Sequence, residues 1–147
     1  THTDLETGES YIPHVAEYSI GLNRLMLVVI ADAYRSDENR TWLALSPKLA
    51  PFKAAVFPLL RNKPELVEKA RGIYETLVAE GIPVNWDDRG NIGKRYLAQD
   101  EIGTPLCITV DFDTLENNSV TIRNRDTMQQ DRVDVDTIKE YIVSKIS

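Results

Sequence analysis

A single cysteine, Cys107, stands in 147 residues. That excludes an intramolecular disulfide framework and any multi-cysteine zinc knuckle. Only two histidines are present, His2 and His14, both near the start, so a His-rich metal site is not expected. Long apolar runs are missing too. The longest, Leu25 to Ala31, is far too short to cross a bilayer. The chain opens Thr-His-Thr-Asp-Leu-Glu, without the charged and apolar regions of a signal peptide. These absences favour a reduced, cytoplasmic compartment and no membrane partner. Excess positive charge is also lacking: 17 Lys and Arg stand against 23 Asp and Glu, a net charge of −6. A basic nucleic-acid coat is excluded and DNA is not an expected partner, but a local basic patch on an acidic domain is allowed.

What is present is an ordinary globular balance, 42% apolar and 27% charged, enough for one compact domain and some extra. Residues 11–20 read as a buried strand, with Pro13 near its start, where a missing donor is tolerated. So early a strand, in a chain that opens without Met, predicts a piece of something longer. From Gly21 the period changes. Leu22, Leu25, Met26, Val29, Ile30 and Ala33 make a helix stripe, and Leu27 and Val28 are apolar as well. A helix apolar almost all round belongs inside a larger body. Arg35 to Arg40 then reads as a charged connector, and Pro47 and Pro51 mark a boundary.

A second unit follows. Ala54 to Leu60 is a short apolar run, as in a strand covered on both faces. Pro64 opens a helix that Gly81 closes, and Pro83 to Trp86 is another short strand, giving a βαβ unit. Residues 92–102 read as a short helix. Leu106 to Asp113 alternates like a half-buried strand, Asn117-Asn118 turns the chain, and residues 120–125 alternate again. A last helix is predicted over about Asp134 to Lys145.

Several groups could carry chemistry. Glu17 and Ser19 share a strand face, and Arg24 follows in the first helical turn. A carboxylate suits an ammonium, and an Arg at a helix start suits a phosphate. On spacing alone, an ion pair at a strand–helix junction is the simpler account. Gly90 to Arg95 sets glycines and two cations at a helix start, which can cradle a phosphate or be a plain cationic first turn. Asp111 and Asp113 on one strand, with Arg123 and Arg125 on the next, make either a face that reads unpaired bases or a solvated salt-bridge lattice. Cys107, Trp42 and Trp86 read as core. Tyr96, beside Lys94 and Arg95, stays open as a platform for a base.

Taken in order, the segments Ile12–Arg24, Pro47–Lys53, Asn91–Tyr96, Asp100–Pro105, Thr109–Thr114 and Ile122–Gln130 resemble the C-terminal part of the homodimeric class II glycyl-tRNA synthetases. The resemblance covers Tyr11 to about Val133. It implies an α/β fold, a mixed β-sheet flanked by helices, preceded by a strand–helix remnant of a catalytic domain. The implied division is residues 1–36 as the end of that catalytic domain, 37–51 as linker and 52–147 as anticodon-binding domain.

By the same resemblance, Ile12–Arg24 is motif 3 of the class. Glu17, Ser19 and Gly21 would contact glycine, and Gly21 and Arg24 the ATP phosphates, Arg24 being the catalytic group. The family commonly has Pro where Tyr18 stands and Ala or Phe where Ile20 stands. Lys94, Arg95, Asp100, Glu101, Arg123 and Arg125 would face glycine tRNA. The parent enzyme would use ATP with Mg²⁺, activate glycine, transfer it to its tRNA and work as a homodimer. Motifs 1 and 2 are absent, so this piece alone is expected to be inactive, to bind no cofactor and to show an apolar patch around residues 22–33. A non-catalytic nucleic-acid-binding accessory module on the same fold is the alternative.

Overall fold

A computed structural model describes residues 1–146. At the start, β1 (His2–Thr3) and β2 (Ser10–Tyr11) form a two-residue antiparallel bridge. The strand expected over residues 11–20 is otherwise absent. Residues 12–21 have no regular structure and are exposed throughout. A strand is completed only by a neighbour, and none of the described residues lies alongside to pair with it.

The helix that follows, α1 (Leu22–Ala33), is where its periodicity places it. Its apolar residues face solvent on nearly every side: Leu22 is 76% exposed, Leu27 68% and Val28 62%. The expected apolar patch is therefore present, and only Ala33 at the end of the helix is buried.

The charged connector proves to be a hairpin. β3 (Tyr34–Ser36) pairs antiparallel with β4 (Thr41–Leu43). Its turn forms because the Asp37 carboxylate accepts the backbone N–H of Asn39 and of Arg40, each at 2.8 Å. Beyond it, Leu45 and Ala50 are buried. Lys53 donates its Nζ to the carbonyls of Pro47, Lys48 and Ala50, each at 2.9 Å, which holds this stretch against the start of the sheet.

The main sheet has the order β6-β5-β7-β8-β9. β5 (Ala54–Pro58) leads into α2 (Pro64–Ala79), which returns to β6 (Val84–Trp86). β6 lies parallel to β5, so the βαβ reading holds. α3 (Ile92–Ile102) begins at Asn91, whose side chain accepts the Lys94 N–H, and ends at Gly103 in the left-handed conformation. β7 (Leu106–Val110) then inserts beside β5, in parallel.

The strand predicted through Asp113 stops at Val110. Asp111 and Thr114 form a reciprocal capping box that starts α4 (Phe112–Asn117). Nor is β7 half-buried: all five residues are covered. Asn118, left-handed at φ 53°, turns the chain into β8 (Ser119–Asn124), antiparallel to β7. β9 (Gln130–Asp134) adds an antiparallel edge, and α5 (Ile138–Ile146) closes the body after a 3₁₀ turn.

The period of two divides the sheet into two faces. Ala54, Val56, Leu106, Ile108, Val110, Val120 and Ile122 pack under Leu66, Ala70, Ile73 and Leu77 of α2 and Ile138 and Ile142 of α5. The opposite face carries Ala55, Phe57 and Cys107, covered by Ile92 and Tyr96 of α3. α3 reaches only part of this second face. Where β8 and β9 continue it, the residues in register, Thr121 with Arg132 and Arg123 with Gln130, are polar. Among the described residues no helix is long and apolar enough to cross a membrane.

Candidate nucleic-acid interface

The four N-terminal candidates are exposed. Glu17, Ser19 and Gly21 lie on the extended stretch and Arg24 in the first turn of α1. Arg24 folds its stem along Gly21, where a Cβ would stand 3.7 Å from Arg24 Cδ. Among the described residues no hydrogen bond or ion pair joins Glu17, Ser19 and Arg24 to one another.

The six residues expected on an RNA face divide sharply. Lys94 and Glu101 are exposed on α3. Arg95, Asp100, Arg123 and Arg125 are buried, none more than 6% exposed. Arg95 folds back on its own loop and donates to the carbonyls of Arg89 (3.1 Å), Gly90 (3.1 Å) and Pro58 (2.6 Å). Burial pulls its guanidinium below the usual value, against the pull of Asp87 and Asp88. Asp100 accepts two parallel bonds from Arg123, each 2.9 Å, and a third from Arg40, also 2.9 Å. Although burial disfavours the Arg123 charge, the Asp100 carboxylate more than compensates and raises its pKa. Arg125 donates to the carbonyls of Gly103 (2.7 Å) and Leu45 (2.9 Å) and grips Asp126. The charged groups of these four are thus spent inside the domain.

The cross-strand meeting of Asp111 with Arg123 does not occur. Arg132 on β9 takes that place, its Nη1 2.6 Å and its Nη2 2.9 Å from the two Asp111 oxygens. It also donates to Thr121 Oγ1 (2.9 Å) and Ser119 Oγ (2.7 Å). Burial by itself would raise the Asp111 carboxyl. Arg132, with the hydroxyl and N–H of Thr114, outweighs that and holds it below the ordinary carboxylate range.

Beside this pair lies a groove of about 250 Å³, lined by Tyr96, Thr109, Asp111, Thr121 and Gln130 with Ile92 at its apolar end. Tyr96 is held edge-on to Phe57 and has its hydroxyl 2.6 Å from Thr109 Oγ1. Such a groove joins an aromatic wall to hydroxyl, amide and carboxylate groups at one end of a sheet. It can take a flat polar ring such as an unpaired base. From the sequence Tyr96 stayed open as a platform for a base, and it lines this groove. Arg132 and Gln130 were missed, and the Asp111-to-Thr114 capping signature was the one local signal that β7 would end before Asp113.

The family model described as Anticodon binding domain matches residues 53–145. The chain belongs to the anticodon-binding domain family. The matched residues begin just before β5 and end within α5, so the match spans the five-stranded sheet and α2 to α5. The chain is also similar over nearly its full length to glycine–tRNA ligases. It is 47% identical to that of Streptomyces coelicolor over 155 residues, 99% of this chain and 33% of the relative. It is 49% identical to that of Bifidobacterium longum over 149 residues, 95% and 30%. With that of Clostridium tetani it shares 46% over 151 residues, 99% and 32%. The chain therefore spans about a third of the length of these curated relatives.

Proposed function

We propose that this chain is the anticodon-reading part of a glycine–tRNA ligase, and that the groove beside Tyr96 receives an unpaired base of glycine tRNA. The observation that carries this is the groove itself, an aromatic wall and polar rim left uncovered at the β8–β9 end of a domain of the anticodon-binding family. Lys94 is the cation placed to meet the RNA backbone, Arg132 orients the Asp111 carboxylate at the groove, and Glu101 lies further along the exposed side of α3. Arg95, Asp100, Arg123 and Arg125 serve recognition by shaping the surface from within.

The parent enzyme activates glycine with ATP and passes it to the terminal ribose of its tRNA. In this reading residues 1–36 belong to its catalytic domain, 37–51 join the two parts and 52–147 bind the anticodon. Glu17, Ser19 and Gly21 contact glycine there, and Gly21 and Arg24 the ATP phosphates. Support comes from the glycine–tRNA ligases to which the chain is 46–49% identical, in a match that includes this N-terminal stretch. A cytoplasmic homodimer is the corresponding assembly.

The test is binding of glycine tRNA against the same tRNA with substituted anticodon bases, at two salt concentrations. Cognate binding should exceed substituted binding at both. Lys94→Ala should weaken both RNAs alike and flatten the salt dependence by about one unit of log–log slope. Equal affinity for the two RNAs would overturn the assignment of the groove.

A further inference from the structure

Asp100 is wholly buried in α3 and receives two arginines of different origin. Arg123 comes from the sheet and Arg40 from the turn of the connector hairpin. Arg123 in turn holds its guanidinium carbon 4.9 Å from the centre of the Tyr96 ring, which walls the groove. At the other end, β3 follows α1 without a break, and Ala44 donates its N–H to the Ala33 carbonyl at 2.7 Å. Hydrogen bonds therefore run from the end of α1 through the hairpin to Arg40, Asp100 and Arg123, and a cation–π contact carries the connection on to Tyr96.

A buried ion pair adds little stability over a well-packed apolar replacement, because both charges must be stripped of water. What it does supply is geometry. A planar carboxylate held on two sides by planar guanidiniums fixes their mutual orientation. Arg40 is further constrained by bonds to the carbonyls of Arg125 (2.6 Å) and Asp126 (3.2 Å), and it stacks 4.1 Å from the Trp42 ring centre.

We propose that Arg40 and Asp100 are positioning residues for RNA recognition. Through Arg123 they set the Tyr96 wall of the groove in register with the connector, and so with the helix that precedes it. The inference rests on the groove being the base-binding surface.

The experiment uses the full-length ligase that carries this chain. KM for glycine tRNA, intact and anticodon-substituted, is measured for wild type, Arg40→Met, Tyr96→Leu and the double variant. Glycine-dependent ATP–pyrophosphate exchange without tRNA is followed in parallel. Arg40→Met should raise KM for intact tRNA on the order of tenfold, with exchange unchanged. The double variant should be no worse than the poorer single one, since without the ring Arg40 has nothing to position. Arg40→Lys should recover part of the loss. If Arg40→Met does not fold, as judged by thermal unfolding, the same cycle is run with Arg40→Lys.

Multiplying effects in the double variant, or a fall in exchange that tracks the rise in KM, would overturn the proposal. A wild type that discriminates the two tRNAs while the cycle multiplies rejects the positioning role alone. A wild type that does not discriminate them rejects the reading of the groove and this inference with it.

Discussion

Arg40 and Arg125 each hold the other's segment. Arg40 Nη1 donates to the Arg125 carbonyl at 2.6 Å, and Arg125 Nη2 donates to the carbonyl of Leu45, on the Arg40 side, at 2.9 Å. Both guanidiniums are buried. Arg40 Nη1 also donates to Asp100 and its Nη2 to the Asp126 carbonyl, while Arg40 Nε is left without a hydrogen-bond partner. Arg125 Nη1 donates to the Gly103 carbonyl and its Nε to the Asp126 carboxylate. The connector hairpin is thereby docked on the sheet by charge-assisted bonds to backbone, which are about twice as strong as neutral ones.

Asp100 is the common acceptor of this arrangement, so its charge should matter to folding. Asp100→Asn keeps the shape and leaves two buried arginines without their anion. Breaking a buried pair in this way costs about 3–5 kcal/mol. Urea unfolding should show a midpoint lowered accordingly with an unchanged slope. A loss under about 1 kcal/mol, the range of exposed pairs, would mean that water reaches the site.

Gly103 and Gly72 should respond to alanine in opposite directions. Gly103 is left-handed at φ +81°, and a Cβ there would stand 2.8 Å from Leu45 Cδ1 and 3.1 Å from the Leu43 carbonyl. Gly103→Ala should cost about 1–3 kcal/mol through strain and displacement of β4. Gly72 lies inside α2 with nothing within 4 Å of its Cβ position. Gly72→Ala should stabilise by about 0.5–1 kcal/mol. Thermal unfolding of the two variants checks both signs, and two shifts of the same sign would contradict the geometry.

Asp111 links stability to pH. Its carboxyl lies below its ordinary value of 3.8, because Arg132 and Thr114 outweigh the effect of burial. A lowered carboxyl binds its proton less readily when folded than when unfolded. Its contribution is therefore complete above the unfolded value near 4 and is lost as pH falls through the lower folded value. Carbon-detected NMR titration should give a midpoint below 3.8 for Asp111, rising toward it in Arg132→Ala. A midpoint unmoved by that substitution would show that Arg132 is not the cause.

Cys107 should be inert in the folded state. It is buried on β7 between sheet and α3, and burial pushes its thiol well above the usual range. A protonated thiol without solvent access reacts slowly. A chromogenic disulfide reagent at pH 8 should label no more than a trace in buffer and one equivalent in urea. Rapid labelling in buffer would mean that α3 opens.

Much of the fold was legible locally. The run Ala54 to Leu60, the Pro64-to-Gly81 helix signals and the short strand ending at Trp86 place β5, α2 and β6, because each rests on neighbours in the chain. α1 was equally plain in its apolar period, though no side chain caps it, and α3 was read over residues 92–102, where it lies. The stretch 11–20 was not, since a strand pattern does not show whether a partner strand lies beside it. The hairpin at residues 34–43 was hidden in a charged run, because its arginine is buried only when Asp100 stands across from it.

The candidate site was legible in residue type and obscure in placement. Lys94, Arg95, Asp100, Arg123 and Arg125 share short segments, and by sequence alone nothing separates the one that meets solvent from the four that do not. A guanidinium can be buried only if its donors find acceptors, and those acceptors, the carbonyls of Pro58, Gly103 and Leu45 and the carboxylate of Asp100, are distant along the chain.

Hydrophobic period, capping residues and turn chemistry are properties of adjacent residues, and by themselves they determined the α/β class, most elements and the segments that carry the family resemblance. Tertiary structure alone decided which charges build the domain and which stay exposed to solvent. That choice depends on pairings between α3, β8, β9 and the connector, and only the closed sheet brings those partners within hydrogen-bond reach.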